Sequence, residues 1–141
     1  MTVELERALL RQGQRLSGQG SYEQAMMIYN LALQTAEQLG DKAGISATLR
    51  NIGNIHNSQG SYTQALEYYR KSLKLAEEAG DKALIARALG NIGIVHSSQG
   101  DYTLALAYYQ QSLKLAEEVG DRVVIANTLN NVGVVYDLQG D

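Results

Sequence analysis

The chain repeats itself every 40 residues, and no other feature of the sequence narrows the possible folds so far. Gln19-Gly20 recurs as Gln59-Gly60, Gln99-Gly100 and Gln139-Gly140. Gly40-Asp41 recurs at the same interval as Gly80-Asp81 and Gly120-Asp121. Residues 61–100 and 101–140 share 23 identities in 40, and 21–60 and 61–100 share 21. The 141 residues therefore divide into units of about 1–40, 41–80 and 81–120, with a half unit at 121–141. A repeat of this length is one supersecondary element that buries its apolar face only by stacking on its neighbours.

Each unit divides into two helical stretches. Ile45, Leu49, Ile52 and Ile55 recur at gaps of 4, 3 and 3, and Tyr62, Ala65, Tyr69, Leu73 and Ala76 at gaps of 3, 4, 4 and 3. That is the period of a helix and not of a strand. Ser21 with Gln24, and Ser61 with Gln64, match the capping box. Asp41, Asp81, Asp101 and Asp121 are placed to act as single N-caps. Gly20, Gly40, Gly60, Gly80, Gly100 and Gly120 fall where a left-handed residue ends a helix. Seven helices are predicted, over about 3–18, 21–39, 41–59, 61–79, 81–99, 101–119 and 121–139. Two-residue turns force them into antiparallel hairpins. Gly13, Gly53, Gly93 and Gly133 lie inside helices, where each costs about 1 kcal/mol relative to alanine. Close approach within the hairpins explains them, with Tyr22, Tyr62 and Tyr102 expected over the seam.

Leu49, Ile52, Gly53, His56, Ala65 and Tyr69 resemble the tetratricopeptide repeat pattern. Leu89, Ile92, Gly93, His96, Ala105 and Tyr109 repeat it, and Leu129, Val132, Gly133 and Tyr136 begin it again. The first unit departs from it with Gln12 in place of an aliphatic residue. The period of 40 and the absence of proline resemble the longer-repeat subset found in spindle-orientation adaptors and bacterial signalling proteins. The resemblance implies an all-α, right-handed α-solenoid of about 3.5 repeats that binds extended peptides in a concave groove.

Helical geometry locates that groove independently. The face opposite Leu49 and Ile52 carries Arg50, Asn51 and Asn54; the next unit offers Arg87 and Asn91, and the last Asn127, Asn130 and Asn131. The first unit offers Arg11 and Gln14. Asn51, Asn91 and Asn131 form a ladder able to pair with a peptide backbone or to set the stacking register. Arg7, Arg11, Arg50 and Arg87 bias this face positively, which favours an acidic peptide. The lysines of the carboxylate clamp used by chaperone-tail adaptors are missing, with Leu10 and Gly90 on the inner face.

Other chemistries find no support. Net charge is -3, against duplex DNA. No cysteine is present, which removes thiolate chemistry, and no apolar run approaches a membrane span. His56 and His96 share a register position with Leu16 and Tyr136, so they are expected to pack and not to ligate a metal. No catalytic residue, metal or cofactor is predicted, and the charged N-terminus is no secretory signal, so the expected location is the cytoplasm. The last helix, with Val123, Val124, Ile125, Val132, Val134 and Val135, is too apolar for a cap. Two expectations follow: a fragment of a longer array, and a homodimer formed through the exposed terminal helix or a hairpin swap. A structural spacer or self-association arm is the alternative to a peptide-binding module.

Overall fold

A computed structural model describes residues 2–140. Its elements are α1 (Val3–Gly18), α2 (Tyr22–Leu39), α3 (Lys42–Ser58), α4 (Tyr62–Ala79), α5 (Lys82–Ser98), α6 (Tyr102–Val119) and α7 (Arg122–Leu138). Among the described residues there is no strand. Consecutive helices pack in pairs, α1 on α2, α3 on α4 and α5 on α6, and each pair stacks on the next to form a solenoid. No helix among the described residues is long and apolar enough to cross a membrane.

The turns follow the predicted chemistry in part. Asp41, Asp81, Asp101 and Asp121 each cap a helix, accepting from the backbone N–H of Gly44, Leu84, Leu104 and Val124 at 3.0–3.3 Å. Gly40, Gly80 and Gly120 close α2, α4 and α6 in the left-handed region, with φ of 66, 68 and 73°. The capping boxes do not form: neither Ser21 nor Ser61 makes a side-chain cap hydrogen bond. Their ψ angles of 63 and 67° are tighter than the 90–96° of Asp41, Asp81 and Asp121. Asp101 caps from a ψ of 76° because its carboxylate reaches one atom further than a serine hydroxyl.

The hairpin seam also differs from expectation. Tyr22, Tyr62 and Tyr102 are only half-buried at its edge. The rings that sit on the helical glycines belong to Tyr29, Tyr69 and Tyr109, one per unit. A Cβ at Gly53 or Gly93 would lie 2.7 Å from a ring carbon of Tyr69 or Tyr109, and one at Gly13 would collide with Tyr29. The apolar core then forms where each ring meets the next unit: Ala65 and Tyr69 pack with Ile92 and Val95, and Ala25 and Tyr29 with Ile52 and Ile55. At Gly133 no atom lies within 4 Å, because no second helix follows α7.

Candidate functional site

The first helices of successive units, α3, α5 and α7, line a cleft of about 370 Å³. Six of the ten residues predicted for the concave face meet there: Arg50 from α3, Arg87 and Asn91 from α5, and Asn127, Asn130 and Asn131 from α7. Ile94, Val123 and Val124 form an apolar wall, and Ser112 of α6 closes the floor. The floor is accessible because residue 90 is glycine; a Cβ there would stand 3.3 Å from Ser112 Oγ. Val123, Val124 and Ser112 escaped the sequence reading, since they reach the cleft only through the stacking of α6 and α7 on α5.

The remaining four predicted residues lie elsewhere. Arg11 and Gln14 are exposed on α1, outside the cleft. Asn51 is 5% exposed and its Nδ2 is buried with no hydrogen-bond partner. Asn54 accepts a 2.5 Å hydrogen bond from the Tyr69 hydroxyl, tying α3 to α4 and serving the hairpin.

The electrostatics centre on Arg50. Its Nε is buried without a partner. Burial lowers its pKa, and the like charge of Arg87 lowers it further. Tyr29 and Tyr69 are the opposing influences on Arg50, and no carboxylate is among them. Burial pushes the Tyr29 phenol up to about 12 and the Tyr69 phenol higher still, so both remain neutral. Arg87 has a partial counter-ion: its guanidinium lies 3.4 Å from Asp121 Oδ2 while Oδ1 of the same carboxylate caps α7. No acidic residue lines the cleft itself. The buried, unpartnered side-chain atoms on this face are Arg50 Nε, Asn51 Nδ2 and Asn91 Nδ2, all of them N–H donors. A donor-only, positively biased cleft complements an oxyanion or backbone carbonyls.

His56 and His96 lie away from this cleft. They stack on Tyr68 and Tyr108 with ring centroids 5.3 and 5.5 Å apart. Burial lowers the pKa of His96. Among the described residues no group of three or more His, Asp or Glu side chains could hold a metal ion.

Comparison with known proteins agrees with this architecture. The tetratricopeptide repeat family profile matches residues 4–78 and 84–141. The chain is similar in structure to the TPR domain of Arabidopsis FLU, with a TM-score of 0.72 and 23% identity over 82% of this chain and 97% of that one. The N-terminal domain of stress-induced protein-1 from C. elegans gives a TM-score of 0.65 and 18% identity, over 92% and 98% of the two chains. A Rap protein complexed with competence and sporulation factor gives 0.78 and 22% identity, over 94% of this chain and 40% of that chain. A comparison with curated protein sequences found no significant match. A glycine seated under a tyrosine in every complete unit, and a family profile matched along nearly the whole length, place this chain in the tetratricopeptide repeat family.

Proposed function

We propose that this chain is a non-catalytic, cytoplasmic protein-interaction module, a segment of a longer repeat array, whose cleft between α3, α5 and α7 holds an extended acidic peptide from a partner protein. One observation carries the reading: Arg50 is a desolvated guanidinium with an unpartnered Nε, no ion pair and a second arginine beside it. Burying an uncompensated charge costs several kcal/mol, and such a cost is characteristic of a site whose counter-ion arrives with a ligand. A carboxylate of the peptide supplies that counter-ion. Asn91, with Asn127 and Asn131 across the cleft, pairs with the peptide backbone, and Ile94 and Val123 take an apolar neighbour of the acidic residue. Arg87 is partly neutralised by Asp121, so the charge left to satisfy is close to one, which suits a single carboxylate. The similar Rap protein is itself complexed with competence and sporulation factor, which fits the use of this fold to hold another molecule.

The test is a display selection of extended peptides on the immobilised chain, followed by fluorescence-anisotropy titration of the enriched sequences. Arg50→Met is expected to weaken binding by about 10- to 100-fold, the loss of one desolvated charge-assisted contact. Replacing the peptide's acidic residue by its amide is expected to cost the same and to add nothing further in the Arg50→Met chain. Equal binding by both proteins, or enrichment of basic peptides, removes this reading. The open face of α7 favours a second reading, self-association, which stands on different residues.

A further inference from the structure

The two terminal first-type helices, α1 and α7, are unequal versions of the same part. At equivalent register positions α1 carries Glu6, Leu9, Gln12, Gly13 and Leu16, and α7 carries Ala126, Leu129, Val132, Gly133 and Tyr136. In α3 and α5 these positions bury Ile52 or Ile92 and the glycine that receives a tyrosine. By that standard α1 is the poorer helix. It fully buries only Glu6 and Gly13, and Gln12 is exposed where its counterparts are aliphatic. Glu6 is pressed into the space that a Cβ of Gly44 would occupy, with Oε2 buried and unpartnered. The helix best matched to this seam, α7, has nothing to pack on. Leu129, Tyr136 and the Gly133 notch are open to solvent.

We propose that α7 of one copy displaces α1 of a second copy, seating its Gly133 beneath the second copy's Tyr29 and joining the two chains head to tail in one continuous solenoid. The occupant is the second copy's α2 because the contact continues the Gly–Tyr seam that closes three times within the chain, at Gly13–Tyr29, Gly53–Tyr69 and Gly93–Tyr109. The exchange replaces the buried Glu6 carboxyl by the Ala126 methyl against the second copy's Gly44. It also replaces exposed Gln12 by Val132. Tyr136 takes the place of Leu16 beside Ile28, the position where His56 meets Tyr68 and His96 meets Tyr108. Exchanging equivalent elements is a low-cost route to association, and a head-to-tail contact of this kind extends without closing. The surface used is separate from the Arg50 cleft, so failure of the peptide reading leaves this one intact.

The chain lacks cysteine, which makes an engineered cross-link decisive. A Tyr136→Cys chain is mixed with an Ile28→Cys chain under oxidising conditions and the covalent products are mapped. The expected product joins Cys at 136 of one chain to Cys at 28 of the other. It should exceed the yield from Tyr136→Cys mixed with Gln34→Cys, an exposed position on α2. Adding Gly133→Val to the Tyr136→Cys chain is expected to reduce the product about tenfold, since the added side chain blocks the ring. The fold of that variant stays intact, because the notch is empty in the single chain. Adding Gln12→Val to the Ile28→Cys chain is expected to lower the yield by making α1 harder to displace. Products joined only through residue 136 of both chains, a yield no greater than the Gln34→Cys control, or indifference to Gly133→Val would each overturn the proposal.

Discussion

Helices α3 and α7 carry nearly the same pattern and lead different lives. Leu49 is 7% exposed and its counterpart Leu129 is 53% exposed. Gly53 lies under Tyr69, and Gly133 lies under nothing. Asn51 is buried, and Asn131 is half-buried at the edge of the cleft. What differs is the neighbourhood: α3 is held between α2 and α4 and touches α1 and α5, whereas α7 has α6 and α5 alone. In a solenoid, then, a residue's energetic role is set by how many units flank it, not by its register position alone.

The comparison breaks most visibly at the glycines. Gly53→Val is expected to destabilise the chain by about 3 kcal/mol, because the side chain would displace the Tyr69 ring in a full seam. The same change at Gly133 should leave urea unfolding of the dilute chain within about 0.5 kcal/mol of the parent. Equal losses at both sites would mean that α7 is already covered. Ile52→Ala against Val132→Ala asks the same of the aliphatic row, with about 3 kcal/mol expected for fully buried Ile52 and under 1 kcal/mol for half-buried Val132.

The other terminal helix, α1, is sharpened by pH. The Glu6 carboxyl, 3% exposed, is pushed up to about 7, by burial first and then by its hydrogen bond to Asp41 and the charge of that residue; Arg7 opposes the shift. The folded state holds a proton that the unfolded chain releases near 4.5, so this contribution is present below 4.5 and is lost as pH rises toward 7. Thermal melts should show stability falling by about 2 kcal/mol across that window, with α1 amides losing hydrogen-exchange protection first. Glu6→Gln should flatten this pH dependence; an unchanged profile would place its origin elsewhere. The smallest contrast is between caps. Asp81→Ala is expected to cost about 1 kcal/mol and Ser61→Ala only a few tenths, since the aspartate accepts from Leu84 N–H and the serine accepts from nothing.

Much of the fold was legible because periodicity, turn residues and repeat length agree. The helix ends lie within a residue or so of the predicted spans. The glycine row announced close approach, but which aromatic approaches was misread. Tyr62 opens its helix and looked available, while Tyr69, two turns further along, is the ring directed at Gly53. The capping boxes failed for a similar reason: Ser61 and Gln64 have the right spacing, and spacing says nothing of the ψ angle that the turn imposes. At the cleft, the identities of Arg50, Arg87, Asn91, Asn127, Asn130 and Asn131 followed from helical phase, which locates a face. Phase does not measure depth. It could not separate Asn54, bonded to Tyr69, from Asn91, whose amide nitrogen has no partner.

The sequence by itself determined what is local and what is repeated: seven helices, their aspartate and glycine ends, the hairpin pairing and the family. These rest on interactions within a few residues, or on a pattern copied from unit to unit. Tertiary structure alone decided which of several equivalent residues are desolvated. It buried Arg50 without a counter-ion, enclosed the Glu6 carboxyl against Gly44 and left Gly133 open. Burial depends on the neighbours on both sides of a helix, and a 40-residue pattern describes each unit as though its neighbours were always present.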